Sequence, residues 1–155
     1  MDDMNALLSE DRGMADKFMT FAVGNEDYGL EIEHISEIIM VQTITVVPEV
    51  PAYIKGIINL RGKILPVMDV RIRFNKEPME YNDRTCIIVA ISGHSLIGLI
   101  VDTVRAVMDI LPEDITEPAG GSAETRNRYI KGVGKTELGV KLLLDLDRLV
   151  SDKSL

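Results

Sequence analysis

Short apolar runs separated by glycine-containing turns recur along this chain. Residues 18–23 and 28–31 form one pair of runs around the turn Gly-Asn-Glu-Asp. Residues 85–91 and 96–101 form a second pair around Ser-Gly-His. Pairs of apolar runs on either side of a short turn predict two β-hairpins. Because the second pair is apolar at successive positions, we expect its strands to lie at the centre of a sheet.

A different spacing follows each of these hairpins. Apolar residues stand three apart in both places, at Ile32, Ile35 and Ile38 and again at Val101, Val104 and Val107. This spacing is typical of a helix, whereas β-branched side chains also suit a strand. We therefore predict a helix over residues 32–39 and leave the second segment open between helix and strand.

Each half of the chain continues into a second predicted hairpin and a short helix. The first of these hairpins turns at Arg61 and Gly62, and the second turns near Gly139. Asp69 and Asp145 follow the two hairpins, where a side-chain oxygen would cap the N-terminus of a helix. We expect a short helix directly after each aspartate.

The chain contains an internal duplication. Tyr-Ile-Lys-Gly occurs at residues 53–56 and again at residues 129–132, and the alignment continues without a gap through the predicted helices. Upstream, residues 18–39 align with residues 87–108. The offsets of the two blocks differ by seven residues, which we assign to a loop insertion in the small polar stretch that begins at Pro118.

The duplication predicts two related units, residues 17–84 and 85–150, flanked by a flexible acidic tail at 1–16 and a short tail at 151–155. A unit of this length buries little apolar surface alone, so we expect the two units to share one core. Short strands and frequent glycines favour a mainly β fold of small barrels. A doubly wound sheet is disfavoured, because no predicted helix is long enough for its crossovers.

Composition supports a globular protein. Of the 155 residues, 46% are hydrophobic and 27% are charged, close to the globular average. No apolar run reaches the roughly 18 residues that a membrane-spanning helix needs. The start of the chain is acidic where a secretory signal peptide is basic. We therefore expect a cytoplasmic protein.

Charge is unevenly distributed along the chain. The net charge is -8, and residues 1–16 contribute five acidic side chains against one arginine. Residues 54–76 contain a single acidic residue, Asp69, and six cations. These cations, which we call the basic strip, are Lys55, Arg61, Lys63, Arg71, Arg73 and Lys76. A basic strip on an acidic protein indicates an interaction surface.

One hypothesis for the basic strip is a tandem small-barrel nucleic-acid-binding module, in which bases stack on exposed aromatic rings. The chain has three Phe, four Tyr and no Trp, and only Phe74 and Tyr81 lie near the strip. The negative net charge also repels nucleic acid. This hypothesis remains the alternative, and we expect no nucleic-acid partner.

Side chains suited to catalysis or metal binding are sparse. Cys86 is the only cysteine, and His34 and His94 are the only histidines, so no cluster has metal-ligand spacing. Cys86 lies in an apolar run, where we expect a buried and unreactive thiol. The sequence has no nucleotide-binding, metalloprotease or serine-hydrolase motif. We predict no enzyme, no cofactor and no metal site.

The two units differ in charge at the tip of their second hairpins. Arg61 in the first unit corresponds to Glu137 in the second. A position that tolerates either charge is free to serve recognition. Because a guanidinium on a tight turn can bind a carboxylate through two hydrogen bonds, Arg61 is the leading interface candidate.

The stretch YIKGIINLRGKILPVMDVRIRF, residues 53–74, resembles the signature of the CheW coupling proteins of bacterial chemotaxis. The resemblance extends from Lys17 to Val150 and includes Tyr-Gly-Leu-Glu-Ile in the first unit and Ile-Gly-Leu-Ile-Val-Asp in the second. It implies two SH3-like five-stranded β-barrels that share a hydrophobic interface, with a few short helices. This architecture agrees with the duplication.

The resemblance also implies a function. Members of this family are not enzymes. They tether the CheA histidine autokinase to the cytoplasmic tips of methyl-accepting chemoreceptors, and they form rings and arrays with the homologous regulatory domain of the kinase. Such a protein is cytoplasmic, is recruited to membrane-associated receptor arrays without inserting into the membrane, and self-associates at most weakly in them.

Protein-binding residues carry over by motif. The kinase-facing surface implied by the resemblance comprises Ile35, Glu37, Ile38, Lys55 and Gly56. The receptor tip would fit a groove between the barrels near Arg61, Cys86 and Val107. The hairpin tip at the centre of the signature adds Asn59, Leu60 and Gly62.

Overall fold

The computed structural model describes residues 16–118 and 128–151, so that nearly all of the acidic tail, most of the predicted loop insertion and residues 152–155 lie outside it. In chain order the strands are β1 (Lys17–Val23), β2 (Glu26–Glu31), β3 (Ile35–Met40), β4 (Ile54–Leu60), β5 (Lys63–Asp69), β6 (Cys86–Ser92), β7 (Ser95–Val101), β8 (Thr103–Asp109), β9 (Ile115–Thr116), β10 (Ile130–Thr136) and β11 (Gly139–Leu144). The described helices are α1 (Val70–Arg73), α2 (Leu146–Ser151) and the 3-10 turns Ile32–His34 and Pro112–Asp114. The predicted mainly β fold with a few short helices is confirmed.

The strands form two sheets. Sheet I has the order β8-β1-β2-β11-β10-β9, and sheet II has the order β3-β6-β7-β5-β4. Each sheet takes strands from both sequence units, because β11 pairs in parallel with β2 in sheet I and β5 pairs in parallel with β7 in sheet II. The first hairpin of each unit therefore completes the sheet of the other unit. The predicted boundary between residues 84 and 85 separates the two repeats and not the two sheets.

In each sheet, the segment that follows one edge strand crosses to the other side of the sheet and pairs with a strand there. After β3, Thr45 and Ile57 of β4 exchange two backbone hydrogen bonds, each of 2.9 Å. In sheet I, β9 follows β8 and pairs with β10 in the corresponding way. This arrangement is consistent with the two SH3-like units that the resemblance implies.

Alternate residues of the strands face different cores, as the period of a strand requires. The largest cluster takes side chains from both sheets, including Phe21 and Tyr28 of sheet I and Ile88 and Leu99 of sheet II. The intervening residues of sheet II, such as Ile87, form a second cluster. The predicted shared core is therefore confirmed.

The predicted helix over residues 32–39 is wrong beyond its first turn, because β3 begins at Ile35. The pairing of β3 with β6 skips one residue, Ser36, which forms a β-bulge. A bulge converts the spacing of two along a strand into a spacing of three, so Ile35 and Ile38 are both buried. β8 has an equivalent irregularity in its pairing with β1, and the segment left open in the second unit is a strand.

The predicted helix caps are confirmed. The Asp69 carboxylate accepts a hydrogen bond of 3.3 Å from the backbone N–H of Ile72 at the start of α1. The Asp145 carboxylate accepts one of 3.0 Å from the N–H of Arg148 in α2. Each cap satisfies one of the N–H groups that the start of a helix leaves without an intrahelical partner.

Candidate functional site

Two residues with positive φ form the tip of the β4–β5 hairpin. Arg61 has a φ of 51° and Gly62 has a φ of 88°. Positive φ at both central residues is typical of the two-residue turns whose twist matches that of the flanking strands. The Asn59 side chain accepts a hydrogen bond of 2.8 Å from the N–H of Gly62. These features fix the turn and leave the Arg61 side chain at the surface.

Arg61 forms an ion pair with Glu37 of β3. The Arg61 side chain is 69% exposed, whereas that of Glu37 is 22% exposed. The hydrogen bond and the charge of Glu37 raise the pKa of Arg61, and a guanidinium is charged at neutral pH even without this shift. The resemblance implies that Glu37 faces the kinase and that Arg61 lies beside the receptor groove. The structure brings these two side chains into contact.

Gly56 occupies a position that requires glycine. Its φ is 148°, and a Cβ atom there would lie 2.1 Å from the carbonyl oxygen of Thr45. The pairing of Thr45 with Ile57 brings this carbonyl against the glycine. Lys55, the preceding residue, is the bulged residue of β4. Gly56 therefore shapes the surface without presenting a side chain to a partner.

The predicted protein-binding residues divide by burial. Five of them are buried, namely Ile35, Ile38, Gly56, Leu60 and Cys86. Three are half-buried, namely Glu37, Lys55 and Val107, and three are exposed, namely Asn59, Arg61 and Gly62. All except Val107, which belongs to β8 of sheet I, lie in sheet II or in its hairpin turn. The buried residues support the surface from below, and the others are accessible to a partner.

Two exposed apolar side chains that no sequence pattern singles out lie on the elements that carry the ion pair. Met40 ends β3 and is 59% exposed, and Ile64 follows the hairpin turn and is 60% exposed. Gln42 donates a hydrogen bond of 3.1 Å to the carbonyl oxygen of Asn59 and holds the segment after β3 against the tip. No sequence signal marks Met40 or Ile64, because an apolar residue in a strand looks the same whether or not its face is covered.

The basic strip is not a continuous surface. Three of its six cations form ion pairs with acidic side chains, namely Arg61 with Glu37, Arg71 with Asp102 and Lys76 with Glu26. Arg73 is buried. Within residues 16–118 and 128–151, Lys55 and Lys63 are the members of the strip that form no ion pair and remain accessible. The expected basic interaction strip is therefore wrong in its extent, and the nucleic-acid hypothesis loses its main support.

The described residues contain little that suggests catalysis. Cys86 is buried, and burial raises the pKa of its thiol, which disfavours the nucleophilic thiolate. Glu31, Glu33 and His34 bring ligand atoms within 4.8 Å of one another, a grouping that was not expected from the sequence. Glu31 already forms an ion pair with Lys131. No helix in the described part of the chain has the length and apolar composition needed to cross a membrane.

Comparison with known proteins finds similarity over most of the chain. Residues 17–154 match the family model of the CheW-like domain. The chain is 31% identical over 139 residues to the chemotaxis protein CheW of Klebsiella aerogenes, which covers 90% of this chain and 84% of that protein. It is 32% identical over 108 residues to the protein FrzA of Myxococcus xanthus, which covers 69% of this chain and 68% of that protein.

A solved structure has the same architecture. The crystal structure of the scaffolding protein TtCheW from Thermoanaerobacter tengcongensis matches with a TM-score of 0.82 at 33% identity. The match covers 89% of this chain and 94% of that chain. Both sheets therefore fall within the similarity, and no large part of that protein lacks a counterpart here.

Proposed function

This chain belongs to the CheW family of chemotaxis proteins, and we propose that it is the adaptor that couples chemoreceptors to a CheA-type histidine autokinase. The family consists of scaffolding and coupling proteins rather than enzymes, in agreement with the prediction that the chain is not an enzyme. Its task is to hold two other proteins in one assembly. In this proposal the chain binds the regulatory domain of the kinase and the cytoplasmic tips of the receptors.

The exposed ion pair between Arg61 and Glu37 supports this proposal best. It lies in the stretch that carries the family signature, at a turn whose counterpart in the second unit has Glu137 instead. Exposed apolar side chains, Met40 and Ile64, lie on the same elements. Arginine and exposed apolar side chains on the same elements are the composition expected of a protein-binding hot spot.

In this proposal the chain has two partner-binding surfaces. The kinase-facing surface lies on β3 and β4 of sheet II, where Glu37 and Lys55 are half-buried. The receptor-facing surface includes Arg61 in sheet II and Val107 in β8 of sheet I. In this assignment the kinase contacts one sheet, whereas the receptor contacts both.

The partners also determine where the protein acts. The net charge of -8 disfavours direct binding to anionic lipid headgroups. We therefore place the protein in the cytoplasm and expect its recruitment to membrane-associated receptor arrays to occur through the receptors and the kinase. Self-association within the arrays is weak in this proposal.

Charge reversal at the hairpin tip tests the proposal. Arg61→Glu removes a charge-assisted contact and adds repulsion toward a partner carboxylate. We expect the affinity for a chemoreceptor-tip fragment, measured by isothermal titration calorimetry, to fall roughly 30- to 1000-fold and that for a CheA regulatory domain to fall less. The melting temperature should change little, because the lost ion pair is exposed on the Arg61 side and the new glutamate can point into solvent, away from Glu37.

Glu137→Arg is the matched control, since it reverses the charge at the equivalent turn of the second unit. We expect it to leave both affinities within about twofold of wild type. Full binding by a folded Arg61→Glu variant would show that the tip is not a contact. A wild-type chain that binds neither fragment would refute the coupling function itself.

A further inference from the structure

Three cations of the basic strip lie on α1 or just after it, and all three reach groups outside sheet II. Arg73 contacts α2, Arg71 lies near Asp102, and Lys76 pairs with Glu26 of β2. α1 follows β5 of sheet II, whereas β2 belongs to sheet I and α2 follows β11 of sheet I. These contacts therefore tie one sheet to the other.

Arg73 is the buried member of this group, with 3% of the residue exposed. Its Nε and Nη2 atoms both donate to the carbonyl oxygen of Leu149 in α2, at 3.1 and 2.9 Å. The guanidinium carbon lies 4.1 Å from the ring centroid of Tyr53 and 4.9 Å from that of Tyr129. Cation–π contacts are stronger when the cation is buried, as it is here. The two tyrosine rings and the Leu149 carbonyl therefore hold the guanidinium in one place.

The two sequence units meet at Arg73. Tyr53 and Tyr129 are equivalent in the duplication, and their carbonyl oxygens accept equivalent hydrogen bonds of 2.7 Å from the N–H groups of the two helix-capping aspartates. The residue equivalent to Arg73 is Leu149, whose carbonyl oxygen Arg73 binds. An arginine of α1 in the first unit therefore binds the equivalent helix of the second unit, α2.

Arg71 and Lys76 add contacts on either side of Arg73 in the sequence. Lys76 lies 3.1 Å from the Glu26 carboxylate, and Arg71 lies 3.6 Å from that of Asp102. Asp102 is the single residue between β7 of sheet II and β8 of sheet I. Its carboxylate also accepts a hydrogen bond of 2.8 Å from the N–H of Gly24 in the β1–β2 turn. These two cations therefore hold the α1 segment against the first hairpin of sheet I.

We infer that Arg73, assisted by Arg71 and Lys76, is a positioning residue that fixes sheet II relative to sheet I. The inference rests on the proposed function, in which the receptor-facing surface takes Arg61 from one sheet and Val107 from the other. A surface assembled from two sheets keeps its shape only while the sheets keep their relative position. The kinase-facing surface lies in sheet II alone and does not depend on that position.

Arg73→Leu tests the inference, because it places at this position the side chain of its counterpart, Leu149. We expect the affinity for a chemoreceptor-tip fragment to fall about five- to tenfold and that for a CheA regulatory domain to change less than about twofold. Arg73→Lys keeps the charge without the planar pair of donors, so its loss of receptor affinity should be intermediate. Arg148→Leu, the same change at an exposed position of α2, is the matched control and should leave both affinities unchanged.

A measurement without partners tests the geometry directly. Spin labels at Lys63→Cys in sheet II and Lys135→Cys in sheet I, in a Cys86→Ala background, report the distance between the sheets by double electron–electron resonance. We expect a wider distance distribution in the Arg73→Leu variant than in its parent. If that variant does not fold, Lys76→Gln removes an outer contact without altering the core and should widen the distribution in the same sense.

The outcomes separate the two proposals. Equal losses of affinity for both partners, no loss for the receptor fragment, or an unchanged distance distribution would each overturn the positioning role of Arg73. If the wild-type chain binds neither fragment, the coupling function fails, and the distance measurement alone then decides whether Arg73 fixes the sheets.

Discussion

Arg61 and Gly56 both have positive φ, for different reasons. In the two-residue turn of the β4–β5 hairpin, asparagine or glycine adopts this conformation more easily than arginine. Arg61 nevertheless has a φ of 51° in this turn. At Gly56 the requirement is steric, because the Thr45 carbonyl occupies the space of a side chain.

Two glycine substitutions separate the cost of an unfavourable φ from the cost of a steric clash with the backbone. Gly56→Ala combines an unfavourable φ with a backbone atom 2.1 Å from the new Cβ, and we expect it to lower the free energy of unfolding by about 2–4 kcal/mol. Gly62→Ala has an unfavourable φ of 88°, but no atom beyond its two chain neighbours lies within 4 Å of the new Cβ, so we expect a loss of about 1–2 kcal/mol. Urea denaturation of both variants gives the comparison, and equal losses would contradict a steric role for the Thr45 carbonyl.

At the scale of elements, equivalent positions of the two sheets hold different kinds of side-chain pair. In sheet I, the buried Lys141 of β11 donates a hydrogen bond of 2.9 Å to the carboxylate of Asp27 in β2, and Arg105 of β8 donates one of 3.1 Å to the same carboxylate. The duplication aligns Lys141 with Leu65 and Asp27 with Leu96. Those leucines pack together in the second cluster of sheet II. One position of the repeat thus holds either an ion pair or an apolar pair.

An apolar pair should be able to replace the ion pair of sheet I. Asp27→Leu alone leaves the buried ammonium of Lys141 without its carboxylate, and we expect a loss of about 3 kcal/mol. The double variant Asp27→Leu/Lys141→Leu should lie within about 1 kcal/mol of wild type or above it, because neither charge is then buried. Denaturant unfolding measures both values. A double variant as unstable as the single one would show that the ion pair is not replaceable.

The pH dependence of the same variants provides a second measurement. Burial alone would raise the pKa of Asp27, but the hydrogen bonds from Lys141 and Arg105 lower it below its usual value. The stability that this carboxylate contributes is present above the pKa of an unfolded aspartate and is lost as the pH falls through the lower pKa of the folded state. Between neutral pH and about pH 3, the double variant should therefore lose less stability than wild type.

At the scale of the whole molecule, the two repeats cannot be separated without opening both sheets. The β1–β2 hairpin of the first unit lies between β8 and β11 of the second, and the β6–β7 hairpin of the second unit lies between β3 and β5 of the first. The largest core cluster also takes side chains from both sheets. The chain should therefore fold as one cooperative unit.

A fragment of residues 1–84 tests this interdependence. Its hairpin β1–β2 lacks both neighbouring strands, so we expect poor dispersion in its NMR spectrum and no cooperative melting. The full chain should unfold in one calorimetric transition. Mixing the fragment with residues 85–155 should restore a dispersed spectrum, because each half supplies strands that the other lacks. A folded 1–84 fragment or two separate transitions of the full chain would contradict the shared core.

The sequence by itself determined the local features of this protein. The four hairpins, their turns and the aspartate caps follow from spacing and turn chemistry within a few residues, and the structure confirms them. The duplication and the family signature are likewise properties of the sequence. On this basis the sequence predicts Arg61 and Glu37 as interface candidates.

Only the tertiary structure decided what depends on distant pairing. The β-bulge at Ser36 gives a strand the spacing of a helix, and the pairing with β6 is what reveals it. The contact of Arg61 with Glu37 joins residues 24 apart, and that of Lys76 with Glu26 joins residues 50 apart. Which cations remain free and which strands share a sheet depend on such long-range partners, and local spacing carries no information about them.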